Sequence, residues 1–203
     1  MPAKTTQTRD EIIRAARAEF LARGYEGARL QNIADRIGVT KAMIHYYFNT
    51  KKELFEHVYR QSVDFMFRGL SEVLKKDIPL FKKIETLISA CSDKVRTNPE
   101  VLGFILAESN RNADWLLPIF EEHSSLEKTP FAEQIEEAAS DYIITSVDSD
   151  QLLLNIFSLC YYPAVALPIN RSLLDGRDGK SAEELVTDRE GIVLDTVLNW
   201  LTA

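Results

Sequence analysis

Residues Gly27–Leu54 read GARLQNIADRIGVTKAMIHYYFNTKKEL, and this stretch decides the fold. A short helix with Leu30, Ile33, Ala34 and Ile37 apolar meets Gly38, then Val39, then Thr40 opening a second short helix. Gly38 suits the left-handed conformation that a tight turn between helices requires. Thr40 carries the hydroxyl of an N-cap, which satisfies an orphan N–H of the helix it opens. Ala34 is small where two crossing helices approach closely. Helix, short glycine-containing turn, helix is the helix-turn-helix pattern, whose second helix lies in the major groove of DNA.

The content of the second helix sharpens that reading. Lys41, His45, Tyr46 and Tyr47 crowd one short element, alternating with the apolar Ile44 and Phe48 that pack it down. Hydroxyl and lysine donors suit phosphate oxygens, and aromatic faces suit thymine methyls. Thr50-Lys51-Lys52 then opens a new helix, where N–H groups and cations favour a phosphate. Cations at a helix N-terminus oppose the macrodipole, so their presence favours a functional role for Lys51.

Helical signals recur along the rest of the chain and strand signals are almost absent. Ile12, Ile13, Ala16, Phe20 and Leu21 form an apolar stripe, opened by a Thr8/Glu11 capping box and closed by Gly24. The box recurs as Thr50/Glu53, Ser124/Glu127 and Ser181/Glu184, and Asn98-Pro99 reads as N-cap then first helical residue. An all-α protein of nine or ten helices follows, over 8–23, 29–37, 41–47, 51–75, 78–97, 99–110, 113–122, 130–146, 149–170 and 182–201. Tyr142 to Val147 is a frayed helix end or a short extended piece, and residues 174–180 form a flexible, charged loop.

Composition sets the class. The 203 residues are 45% hydrophobic and 27% charged, with a net charge of −7. That average hides a division: residues 1–60 hold eleven Lys/Arg against seven Asp/Glu, and the remainder thirteen against twenty-four. A basic module on an acidic body fits a nucleic-acid partner, because counterion release depends on local charge. No apolar run approaches a membrane span of about 20 residues, and the N-terminus lacks a signal-peptide core. Cys91 and Cys160 sit in apolar segments, without disulfide-framework spacing, and read as buried and inert in a reducing, cytoplasmic protein. His45, His57 and His123 show no metal-ligand spacing, and the phosphate-loop, dinucleotide and serine-elbow motifs are missing. The chain reads as no enzyme, with no metal and no cofactor.

The N-terminal quarter of the chain resembles the DNA-binding domain of the TetR family of bacterial transcriptional regulators. The matching elements are Phe20-Leu21-Ala22-Arg23-Gly24-Tyr25, Ile33-Ala34, Gly38-Val39-Thr40-Lys41, Tyr46-Tyr47-Phe48, Lys51 and Glu53-Leu54. The resemblance implies base-facing positions at Gln31, Lys41, Ala42 and His45. It implies phosphate-holding positions at Thr40, Tyr46, Tyr47 and Lys51, with Tyr46 also close to a base. Two departures stand out: Arg29 stands where a small hydroxyl residue is common, and so either adds a phosphate contact or shifts the motif's first helix, and His45 stands where tyrosine is commonest. The family architecture implies a DNA-binding domain over 1–50 and a helical ligand-binding and dimerisation domain over 51–203, linked by helix 51–75.

For the body, the resemblance implies a small-molecule effector held between helices. Phe104, Trp115, Phe120 and Tyr161 supply candidate aromatic walls, and Asn110, Arg111 and Asn155 candidate polar groups. The last two long helices are apolar on more than one face and read as an interface, and the resemblance implies that they pair with the same helices of a second copy, a homodimer presenting two reading heads to a palindromic operator. The expected function is a ligand-released repressor. The alternative is a helical small-molecule-binding or protein-interaction module with a vestigial head.

Overall fold

A computed structural model describes residues 2–124, 126, 128–174 and 181–203. Among the described residues there are twelve α-helices and no strand, so the all-α fold stands with more helices than the nine or ten expected. They are α1 (Pro2–Gly27), α2 (Leu30–Arg36), α3 (Lys41–Tyr47), α4 (Lys51–Lys75), α5 (Leu80–Thr97) and α6 (Pro99–Arg111). Then come α7 (Ala113–Ser124), α8 (Thr129–Ser140), α9 (Ser149–Val165), α10 (Leu167–Leu174), α11 (Ala182–Thr187) and α12 (Glu190–Thr202).

The differences from expectation have local causes. The first helix starts at Pro2, so Thr8 lies inside it and not at its cap. Proline suits the first turn, and residues 3–7 hold no breaker. The segment expected as one helix over 149–170 breaks at Ala166, two residues before Pro168. Proline's nitrogen donates nothing and its ring crowds the carbonyl four residues back, so Pro168 is accommodated in the first turn of α10. The segment expected over 182–201 breaks at Asp188-Arg189, between α11 and α12. The helix expected over 130–146 ends at Ser140. Beyond it Tyr142 takes φ 58°, and Thr145 donates both its N–H (2.7 Å) and its hydroxyl (2.8 Å) to the Leu201 carbonyl.

The caps divide likewise. Ser181/Glu184 forms the full reciprocal capping box. Thr50 accepts from the Glu53 N–H at 3.0 Å, but the Glu53 carboxylate reaches the N–H of Asn49 instead of Thr50. Pro99 opens α6 as expected. Glu127 of the fourth box and residues 175–180 of the expected flexible loop lie outside the described residues.

The chain forms two compact units. The first takes the residues up to Asp64 together with Gly103–His123. Its core holds Ile12, Ala16 and Phe20 of α1, Ile33 and Ala34 of α2, Ile44 of α3, and Leu54 and Phe55 of α4, all fully buried. Phe55 is the hub of an aromatic cluster, with ring centroids 4.9 Å from Phe20, 5.0 Å from Tyr25 and 5.7 Å from both Phe104 and Trp115. The second unit takes Phe65–Leu102 and 124–203. There α5 packs on α9 and α12 through Ile84, Leu87, Ile88, Leu152, Ile156, Val193 and Val197. The helices α4 and α6 each contribute residues to both units. Among the described residues no single helix is long and apolar enough to cross a membrane; α9 with α10 passes that test only as a pair bent by 74°.

Candidate nucleic-acid interface

The turn between α2 and α3 is built as its residues require. Gly38 has φ 67°, a conformation that strains any residue with a Cβ. Thr40 accepts from the Met43 N–H at 3.2 Å and so caps α3. Ile44 is fully buried and Phe48 nearly so, which turns the opposite side of α3 outward. Lys41, Ala42, His45 and Tyr46 are exposed there, Tyr46 to 76%. Tyr47 is half-buried, its ring edge-on to Tyr46 at 5.1 Å. His45 Nδ1 lies 3.1 Å from the Asn49 carbonyl, which orients the imidazole.

Arg29, Gln31, Lys41, His45 and Lys51 line one open concavity together with Asn49 and Thr50. Five of the nine residues expected to meet DNA are therefore gathered at one place. Thr40, Ala42, Tyr46 and Tyr47 lie outside its lining. Gln31 donates to Asp35 at 2.7 Å along α2. Lys51 is more engaged than expected: its ammonium lies 3.4 Å from the Glu26 carbonyl and 4.7 Å from the centre of the Tyr25 ring. Lys51 thus ties the segment that follows the Gly24 kink of α1 to α4 as well as presenting charge.

Two structural residues escaped the reading of the sequence. Glu19, only 3% exposed, accepts from the Arg29 N–H (3.3 Å) and from Asn32 Nδ2 (2.8 Å), and pairs with Arg23 at 3.4 Å. It fixes the start of α2 from α1, where Arg29 itself offers no side-chain cap. Glu108, 2% exposed, accepts from the Tyr25 N–H (3.3 Å), Asn112 Nδ2 (3.1 Å) and Arg111 Nη1 (3.2 Å). It lies against Gly24, where φ is 65° and a Cβ would stand 2.5 Å from the Glu108 Oε1. The closing role expected of Gly24 thus has a long-range reason as well as a local one.

Residues 12–58 match the model of bacterial regulatory proteins of the tetR family. That match assigns the segment 12–58 to the tetR family. It is similar to the transcriptional activator FasR of Mycolicibacterium smegmatis, 25% identical over 164 residues, covering 73% of each chain. It is similar to the repressor KstR2 of the same species, 24% identical over 120 residues, which is 59% of this chain and 58% of that one. The biofilm operon negative regulator IcaR of Staphylococcus aureus is 35% identical over 66 residues, 32% of this chain and a third of its own. Against the last two, the chain spans less than two thirds of the relative. Among solved structures, the hemolysin II regulator HlyIIR superposes with a TM-score of 0.66 at 20% identity, covering 98% of this chain and 99% of that one. The SCO4942 protein of Streptomyces coelicolor gives 0.65 at 20%, covering 96% and 98%. The protein is a DNA-binding transcriptional regulator whose helix-turn-helix head is of the tetR type.

The seven residues expected to hold an effector in this chain fall in both units. Phe104 and Trp115 belong to the Phe55 cluster, Arg111 to the Glu108 network, Asn110 is exposed and Phe120 half-buried, all in the first unit. Asn155 is half-buried and Tyr161 buried in the second, where the Tyr161 ring stacks on Phe157 at 5.7 Å. A cavity of about 140 Å³ in the second unit is lined by other residues, among them Ser92, Arg96, Cys160, Glu183, Arg189 and Val193.

Proposed function

We propose that this regulator is a cytoplasmic homodimeric repressor that binds a palindromic operator and releases it when a small effector enters its helical body. It needs no cofactor and catalyses no reaction. The observation that carries the DNA-reading part is α3 itself: one side is anchored by the buried Ile44 and followed by the buried Phe48, and the other presents Lys41, Ala42, His45 and Tyr46. On this reading Lys41, Ala42, His45 and Gln31 read bases, and Arg29, Thr40, Tyr46, Tyr47 and Lys51 hold phosphates. The names of the relatives include both activators and repressors, so the sign of control is part of the proposal.

Dimerisation is supported by apolar side chains left on the surface of α9 and α12. Leu154 is 56% exposed and Ile192 58%, with Tyr162 and Trp200 also exposed. A second copy covering them forms a twofold interface, and an interface above about 1,200 Å² makes a stable dimer. Effector release requires a differential affinity of roughly 1–3 kcal/mol between two states of the body. The stiff α4, one helix from Lys51 to Lys75, is the element proposed to carry that difference to the head.

Selection of operator sequences from random duplex DNA, with purified protein at fixed salt, tests the reading. Enrichment of one palindrome is expected, and uniform recovery of random sequence overturns it. Sedimentation of the Leu154→Glu, Ile192→Glu double variant tests the dimer: monomers are expected, and an unperturbed dimer places the interface elsewhere. Spin labels at Asn49 on both subunits test the switch through a change in inter-head distance on release.

A further inference from the structure

Cys91 of α5 and Cys160 of α9, 69 positions apart in the chain, come together in the second unit where α5 packs on α9, Tyr161, the residue after Cys160, reaching the Cys91 sulfur with its hydroxyl. The two differ in surroundings. Cys91 is fully buried, and the Tyr161 hydroxyl donates to its sulfur at 3.3 Å. Cys160 forms part of the wall of the 140 Å³ cavity. Beside it stands Arg189, whose Nε is shut from solvent without a hydrogen-bond partner. A cavity of about 150 Å³ accommodates a molecule the size of benzene, so a small hydroperoxide fits.

The geometry points to Cys160 as a hydroperoxide-reactive thiol with Cys91 as its resolving partner. Reactive cysteines sit in electropositive, partly open surroundings, and redox-sensing ones are poised next to a second cysteine. Cys160 is 8% exposed and opens onto the cavity, whose lining carries Arg96 and Arg189 against the one carboxylate of Glu183. Hydrogen bonds from Cys91 and Ser92 and the Arg189 charge favour its thiolate, against burial and the opposing Glu190 carboxylate. Cys91 is pushed the other way, by its hydrogen bond with Cys160 and by burial, with Lys94 acting weakly against them. The Cys160 thiolate attacks the terminal oxygen of the hydroperoxide. An S–O bond forms, the O–O bond breaks, and the departing alkoxide takes up the proton that the thiol released. The sulfur is oxidised by two electrons to a sulfenic acid, and the peroxide is reduced to an alcohol, or to water from hydrogen peroxide. The Cys91 sulfur then attacks the sulfenic sulfur; an S–S bond forms, the S–O bond breaks, and hydroxide leaves with the Cys91 proton as water.

The test uses the full-length protein and hydrogen peroxide, and it rests on the thiol pair alone, not on the DNA-binding reading. After exposure under native conditions and quenching, both thiols are expected to be lost to titration. The intact mass falls by two hydrogens, and a peptide map recovers Cys91 linked to Cys160. In Cys91→Ala the reaction stops at Cys160, where a sulfenic-acid-trapping dione adds. In Cys160→Ser, Cys91 stays reduced, and in Arg189→Met the loss of thiols slows several-fold. Two free thiols after peroxide, or equal oxidation of Cys91 in Cys160→Ser, overturns the assignment. Because the wild-type map alone decides whether the pair links, an unfolded variant leaves the test intact.

Discussion

The Glu19 and Glu108 sites of the first unit and the Arg189 site of the second handle buried polar groups in opposite ways. In the first, Glu19 and Glu108 are almost wholly enclosed, and each carboxylate is surrounded by donors from other segments. In the second, Arg189 keeps an unpartnered Nε at a cavity, and the Cys160 thiol shares that cavity. A saturated buried carboxylate holds backbone segments in one arrangement, because losing a donor strands a polar group away from water. Unused donors and open space leave capacity for a guest. The part that must present a rigid surface is stapled, and the part with room for chemistry is left unfilled.

The largest effect should come from breaking the first kind of site and sparing the second. Glu108→Ala strands the Tyr25 N–H and the Asn112 amide, and should cost about 2–4 kcal/mol. Arg189→Met should stay within about 0.5 kcal/mol, since no hydrogen bond from its Nε is lost. The chain has two tryptophans, one in each unit, so urea unfolding followed by Trp115 in a Trp200→Phe background reads Glu108→Ala in the first unit, and followed by Trp200 in a Trp115→Phe background reads Arg189→Met in the second. Equal costs would erase the contrast. Next in size, Gly24→Ala should lose about 2 kcal/mol from its positive φ and the clash with Glu108. In the Glu108→Ala background the loss should shrink, and a double-mutant cycle measures the difference.

Smaller effects belong to the surface. Lys41→Ala should relax preference at particular base pairs by about 1–3 kcal/mol with stability unchanged. Lys51→Ala should weaken binding to all sequences, with the salt slope falling by less than about one unit and with some loss of stability. That mixed outcome follows from its engagement with Glu26 and Tyr25; a full unit of slope with no change in stability would show that the tie does not hold. The smallest is a pH effect in the first unit. Burial first, then Arg9 and Arg60, hold His57 below its ordinary value of 6.5. The unfolded chain therefore binds more protons as the pH falls through that value, so stability is full above it and declines below. His57→Gln should flatten the decline in urea midpoint between neutral and mildly acidic pH.

The helix-turn-helix was legible because its determinants are local: Gly38 takes positive φ, Thr40 caps, and Ile44 and Phe48 alternate with exposed neighbours within a few residues. The Pro168 break was written in the chain and outweighed by the apolar run around it, whereas Asp188-Arg189 carries neither glycine nor proline to mark a break. Glu19 and Glu108 were illegible for another reason. Beside local partners, each is held by distant ones, Arg29 and Asn32 for Glu19 and Tyr25 for Glu108, 10 to 83 positions away, and an isolated glutamate on an amphipathic helix looks the same whether its face is covered or wet. Cys91 and Cys160 likewise looked inert because the neighbours that matter, each other and Arg189, are close only in space. Local rules name the reading head; long-range pairing decides what holds it.

The Glu19 clamp has an evolutionary consequence. Glu19 holds the start of α2 through the Arg29 N–H and the Asn32 side chain while the Arg29 side chain makes no cap, so the side chain at position 29 is open to drift. The same holds at 41, 42, 45 and 46, whose side chains point outward, whereas 38, 44 and 48 are committed to the fold. A library randomised at the first five positions should keep its members folded while spreading them across different operators. New target sites are then reachable by single steps, without a detour through unstable intermediates.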